Sequence, residues 1–242
     1  MGWNRRRLVA MLAAAWLTMA GCAGAASKLA PEEWLRLSYA GLAGMDQYSF
    51  AGAMSIGMAG GPPLKPQLFE GKVVDHHQLT IQSDIQDSLY WNPVQVLETL
   101  SRSYERVAML PATEAGAGSA DTVTIRVKEK PVESKNRWEK ALREELEQVA
   151  SDAALAADDA YTSERQALLV QASKELSLML SSLEVETEYD IVIDRRLMLP
   201  LKMEENTVFT YDRNEERKRE SRHTTVRFEA FNGASTVTEE VQ

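Results

Sequence analysis

The sequence predicts an α+β protein: a large antiparallel sheet interrupted by one long helical segment. Three observations predict it. Leu183 to Pro200 alternates with a period of two and then turns. Several further stretches alternate in the same way. Residues 131–182 lose that alternation and take up helical spacing instead. Alternation puts successive side chains on opposite faces of a strand, whereas apolar residues three and four apart share one face of a helix.

The Leu183–Pro200 stretch is the clearest element. Val185, Tyr189, Ile191 and Ile193 share one parity, with Thr187 the small member of the row. Glu184, Glu186, Glu188, Asp190 and Asp194 fill the other, and only Val192 breaks the pattern. The acids therefore belong to a solvent face. The run ends at Asp194-Arg195-Arg196, and a second strand follows from Leu197.

The chain opens on an export pattern. Arg5, Arg6 and Arg7 precede an apolar core, Leu8 to Met19, whose 12 residues are too few to span a bilayer as a helix, which needs about 20. Ala20-Gly21-Cys22 follows, and Cys22 is the sole cysteine, so no intramolecular disulfide forms. This order of charge, apolar core, small pair and lone Cys resembles a bacterial lipoprotein signal, with Met19 where Leu is usual. The resemblance implies cleavage before Cys22 and diacylglycerol on its thiol. Acyl chains at about 0.8 kcal/mol per buried CH₂ then supply the membrane attachment. The alternative is an ordinary secretory signal cut after Ala25 or Ala26. The expected organisation is a signal at 1–21, a lipidated tether at 22–30 and one domain at 31–242 carrying the helical insertion 131–182.

Loss of residues 1–21 removes three Arg and no acid. That leaves 24 basic against 36 acidic residues and a charge of −12. Such a balance argues against nucleic acid or an anionic bilayer surface as the main partner.

In chain order, Pro31 to Ala43 reads as a helix with Pro at its first turn, Glu32 and Glu33 at the positive end of the dipole, and Gly44 beyond it. Tyr48 to Met58 reads as a strand. Tyr48, Phe50, Met54, Ile56 and Met58 form its large apolar face, and Gly60 to Pro63 breaks it. Leu68–Val74 and Gln78–Ile81 flank a polar turn at Asp75, His76 and His77. Leu89 to Trp91 is apolar. Asn92-Pro93 caps and starts a helix. Tyr104 to Leu110 and Asp121 to Lys128 are strands on either side of a loop at 111–120. Within the insertion, the Ala-rich middle 151–160 continues the helix or divides it in two. Leu199 to Tyr211 returns as a strand, the charged middle of Asp212 to Arg222 reads as a solvated hairpin turn or mobile loop, and Thr224 to Phe231 as another strand. Asn232-Gly233 turns into a last strand or tail at 235–241.

Three stretches carry a family likeness: Tyr-Ser-Phe-Ala-Gly at 48–52, Phe-Glu-Gly-Lys-Val at 69–73, and Tyr-Asp-Ile-Val-Ile-Asp at 189–194 followed by Leu199-Pro200. In these the chain resembles the lipoprotein-carrier (LolA-like) group of extracytoplasmic proteins. The resemblance implies an open, curved antiparallel half-barrel with helices packed on its concave side. It also implies lipid binding there.

Titratable clusters read as structural. Asp75 and His77 share a strand face, yet a polar turn explains them. Glu144 with Glu145, Asp158 with Asp159 and Glu204 with Glu205 read as solvated faces, and Asp84 and Asp87 as loop acids that do not match a calcium loop. His223 has no evident partner. No Gly-x-Ser-x-Gly or phosphate-cradling Gly-Lys-Ser/Thr occurs. No catalytic residue, cofactor or metal is expected. Met45, Met54, Met58, Met198 and Met203 suit an adaptable apolar surface, or plain core filling.

The expectation is a membrane-anchored, extracytoplasmic, non-enzymatic module. Its candidate apolar ligand face comprises Tyr48, Phe50, Met54, Ile56, Tyr189, Ile191 and Ile193. The alternative is a structural or signalling lipoprotein that docks an envelope protein through its helical insertion and acidic surface.

Overall fold

The computed structural model describes residues 29–58, 61, 65–83, 92–111, 121–155 and 162–232. The export signal, Cys22, Leu89–Trp91, Asp84, Asp87, Asp158, Asp159 and the 235–241 tail lie outside them.

The described chain runs α1 (Pro31–Ala43), β1 (Tyr48–Met58), β2 (Gln67–Val74), β3 (Gln78–Ser83), α2 (Pro93–Ser103), β4 (Tyr104–Met109) and β5 (Thr122–Glu129). It continues with α3 (Pro131–Leu155), α4 (Thr162–Ser181), β6 (Glu184–Asp194), β7 (Pro200–Arg213) and β8 (Glu216–Glu229). The eight strands form one antiparallel sheet in the order β3-β2-β1-β8-β7-β6-β5-β4. It is curved and open. Two meanders, β1–β3 and β4–β8, are joined at mid-sheet by β1 against β8. The segment holding α2 carries the chain from one sheet edge to the other.

Local chemistry sets the element ends. The Asn92 side chain accepts from the amides of Val94 (3.1 Å) and Gln95 (3.3 Å), satisfying two donors that α2 cannot pair internally. Glu33 accepts from the Ala30 amide at 3.0 Å at the start of α1. Asp75 and His76 adopt left-handed backbone, a region in which Asp and His are enriched, so the β2–β3 turn is the polar turn expected. Asp194 Oδ1 accepts from the amides of Arg196 and Leu197 at 2.7 and 2.8 Å, and this Asx geometry turns β6 into β7.

The hairpin turn expected in the charged middle is present, but far shorter than expected. Residues 212–222 are almost entirely strand. Asn214 and Glu215 alone make the turn, both with positive φ, as a two-residue hairpin between twisted strands requires. Dense charge did not prevent pairing, because across this ribbon opposite signs face each other: Asp212 opposite Arg217, Arg213 opposite Glu216.

All four described helices cover the concave face. Trp34, Leu35 and Leu42 of α1 and Leu97 and Leu100 of α2 close a main core with Tyr48, Phe50, Val127, Tyr189, Ile191, Ile193 and Phe228. Trp138 of α3 and Leu180 of α4 close a smaller one with Leu183, Val185 and Tyr211. The β6 acids point to the other, convex face, as the alternation predicts. There Asp190 takes two hydrogen bonds of 2.7 Å from Arg126. The described residues of the insertion form the helices α3 and α4; residues 156–161, within the Ala-rich middle, lie outside them.

Phe50 and Gly52 on β1 face Gly71 and Phe69 on β2 in exact exchange, phenylalanine opposite glycine twice. A Cβ on either glycine would overlap the facing ring. The two Phe-x-Gly stretches are thus one interlocked device, each ring lying across the bare backbone of the other strand. Side-chain-free glycine is needed here for close approach.

Candidate functional site

The two cores do not meet. Between them, on the same concave face, lies a buried polar band. Across the sheet it runs through Glu129 (β5), Thr187 and Tyr189 (β6), Glu205 and Thr207 (β7), and Arg222 and Thr224 (β8). Ser134 and Arg137 reach down to it from α3.

The hydroxyls form a one-way chain. Thr207 donates its single proton to Glu205 Oε1 at 2.8 Å. It must therefore accept from Thr187 (3.1 Å), which in turn accepts from Ser134 (2.7 Å). Arg137 donates to Glu129 Oε2 at 2.7 Å and to the Tyr189 hydroxyl at 3.2 Å. Burial pushes the Tyr189 hydroxyl well above its ordinary value, and the Glu205 charge adds to this. Burial pulls on the Arg137 guanidinium in the opposite sense, but Tyr189, Glu129 and Glu205 outweigh it and hold the group charged. Such a network stays buried only because nearly every polar group has a partner.

Arg222 differs. It is 5% exposed. Its Nε donates to Thr224 Oγ1 at 3.2 Å, and its guanidinium carbon lies 4.8 Å from the centre of the Trp138 ring. Among the described residues its two terminal nitrogens have no hydrogen-bond partner. Burial lowers its affinity for the proton, which nearby Glu205 partly restores. The indole N–H of Trp138 is buried and unpaired as well.

Beyond Arg222 the face opens. The β1 row facing it is Met54, Ile56 and Met58, paired respectively with Thr224, Arg222 and Glu220. Met54 is half-buried, Ile56 38% exposed and Met58 54% exposed. Half-buried Phe69 continues the apolar surface across Gly52. Here the concave face is apolar and reachable.

The seven residues singled out from the sequence do share the concave face, but in two environments. Tyr48, Phe50, Tyr189, Ile191 and Ile193 are sealed into the main core beneath α1 and α2. Met54 and Ile56 belong to the open corner. Met203 is core filling.

Two further corrections arise. Glu205 lies inside the polar band, 2% exposed, and only Glu204 sits on the solvated side, 2.6 Å from Lys202. His223 has partners, Asn206 Oδ1 at 2.8 Å and Thr225 Oγ1 at 3.2 Å. The polar band escaped sequence reading, although a signal existed. Thr187, Glu205 and Arg222 all take the inward parity of strands whose other inward residues are apolar, and only correct strand limits reveal it.

Among the described residues no group of three or more His, Cys, Asp or Glu could hold a metal ion, and no helix is long and apolar enough to cross a membrane. A scan against models of known families finds none that matches this chain. A search of curated proteins finds no match.

Proposed function

We propose that this protein is a non-enzymatic binding module for a lipid or other apolar ligand, held at the extracytoplasmic face of a membrane by a lipid on Cys22. The observation that carries the reading is the open corner of the concave face: Met54, Ile56, Met58 and Phe69 form a contiguous apolar row that the described helices leave partly uncovered. Apolar side chains left reachable inside a concavity otherwise closed over its core suit a ligand site. The LolA-like resemblance of the paired Phe-x-Gly stretches and of the Asp194–Pro200 turn supports the same reading.

Protein purified without detergent and examined by native mass spectrometry is expected to carry a co-purifying lipid-sized mass. Ile56→Asp is expected to lose it while keeping the circular dichroism of the wild type. A wild-type protein that carries none, and takes up none from added lipid, overturns the reading. Cys22→Ala is expected to move the protein from the membrane to the soluble fraction. Retention in the membrane would refute the anchor.

A second reading rests on the insertion. From Arg143 to Asp152, α3 buries no side chain, and α4 exposes Leu168, Val170 and Leu178 among Glu164, Lys174 and Glu175. This surface suits an envelope protein with a basic and apolar face. Cross-linking from a photoreactive residue at Leu168 tests it: no adduct other than with lipid, in intact cells, would dismiss it.

A further inference from the structure

The open corner borders Arg222, whose terminal nitrogens have no acceptor among the described residues, and beside it a buried indole N–H without one, which narrows the ligand. This inference rests on the apolar reading of that corner. Arg222 stands on β8 between Thr207 of β7 and Ile56 of β1. Its Nε is spent on Thr224, while its two terminal nitrogens face no acceptor among the described residues. Trp138, stacked 4.8 Å from that guanidinium, keeps its indole N–H buried and unpaired. Leaving a buried donor unmade, as at the Trp138 N–H, costs more than a hydrogen bond normally contributes, and a guanidinium over the same ring with its terminal nitrogens unengaged favours an anionic acceptor from outside. Arginine's planar fork fits a two-oxygen anion. The apolar row begins at the next strand, directly opposite.

Glu205 lies near Arg222 but is engaged by Thr207, and Arg137, also near the Trp138 ring (5.4 Å), is paired with Glu129. Glu220, the next inward residue of β8, accepts from the Tyr211 hydroxyl at 2.7 Å. Among the described residues, Arg222 is thus the cation of this cluster whose terminal nitrogens have no acceptor.

We infer that this corner binds a single-chain amphiphile with a small anionic head group, the head on Arg222 and the Trp138 N–H, the chain along Ile56, Met54 and Met58. A carboxylate and a phosphate monoester share the required chemistry.

The test is displacement of a bound fluorescent apolar probe from the full-length protein by four competitors: decanoate, decyl phosphate, decanol and acetate. Either anionic amphiphile is expected to compete about tenfold or more better than decanol, the margin that one charge-assisted bond in a desolvated site supplies. Acetate is expected not to compete. The better of decanoate and decyl phosphate identifies the head group. Arg222→Gln should abolish the preference for the anions over decanol, with Arg222→Lys intermediate. The wild-type comparison stands alone should the variants fail to fold. Equal competition by decanol and both anions overturns the head-group inference while the apolar reading survives. Failure of all three ten-carbon chains overturns both. Competition by acetate as strong as that of decanoate overturns the placing of the chain.

Discussion

Adding one methyl group at Gly71 tests the interlocked Phe-x-Gly device. A Cβ there would lie 2.6 Å from both Cε atoms of Phe50. Phe50 Cζ would lie closer still, and favourable carbon contacts sit near 3.5–4.0 Å, so the ring must retreat by about 1.5 Å. It has little room. Phe50 is 2% exposed and is held between Tyr48, Phe69 and Phe228 at centroid distances of 6.3, 6.5 and 6.5 Å. Overpacking of this kind costs about 1–3 kcal/mol. Replacing glycine on a strand offsets about 0.4–1 kcal/mol of it by restricting the unfolded chain. Gly71→Ala is therefore expected to lose about 1–2 kcal/mol in urea unfolding followed by tryptophan fluorescence, with an unchanged m-value. For a chain of this size that lowers Tm by about 2–8 °C. Phe50→Ala alone should lose about 3–5 kcal/mol. The double variant should lose less than the sum by about 1 kcal/mol, because the ring that the methyl strikes is gone. Additive losses, or a Gly71→Ala protein as stable as wild type, would refute the interlock. Gly52→Ala should cost less than Gly71→Ala, because the ring it meets, Phe69, is only half-buried and can swing outward.

The remaining expectations concern the polar band and the insertion. Glu129→Ala strands the Arg137 guanidinium and should destabilise by about 3 kcal/mol in the same assay, whereas Asp190→Ala on the convex face should cost under about 1 kcal/mol despite its two short bonds. Burial and the hydrogen bond to Glu220 push the Tyr211 hydroxyl from 10.0 up to about 12. A raised folded value favours the proton-bound native state, so this contribution is intact below pH 10 and is lost as pH climbs toward 12. Tyr211→Phe should flatten the fall in stability across that window, and an unchanged slope would contradict the assignment. In hydrogen exchange, amides of α3 from Arg143 to Asp152 should exchange faster than those from Ser134 to Leu142, which pack on the sheet. Uniform protection along α3 would mean that the distal half is covered.

Much of the architecture was legible in the residues. Pro31–Ala43 and Tyr48–Met58 were readable to the residue, because Pro at a first turn and a clean large-small alternation are local signals. The candidate site was legible only in part. Alternation correctly placed Tyr48, Met54 and Ile191 on one face. It could not say which of them a helix from elsewhere in the chain would cover. The misread stretch 212–222 has the same root. Charge density suggested a long hairpin turn or loop, whereas cross-strand pairing of opposite charges extended the strands to a two-residue turn. With the second strand begun only at Thr224, Arg222 fell outside it, and its inward direction was lost.

What the sequence by itself determined is the set of local choices: which segments alternate, where caps and turns fall, and that the β6 acids oppose the apolar row. These depend on neighbours within a few positions. What only the tertiary structure decided is juxtaposition. It brought the two Phe-x-Gly stretches ring to glycine across β1 and β2, set Trp138 against Arg222 from segments more than eighty residues apart, and left Ile56 open while sealing Ile191. The physical reason is that burial and hydrogen-bond satisfaction are properties of the assembled sheet and its helices. A two-residue period fixes the face on which a side chain lies, and packing alone fixes what meets it there.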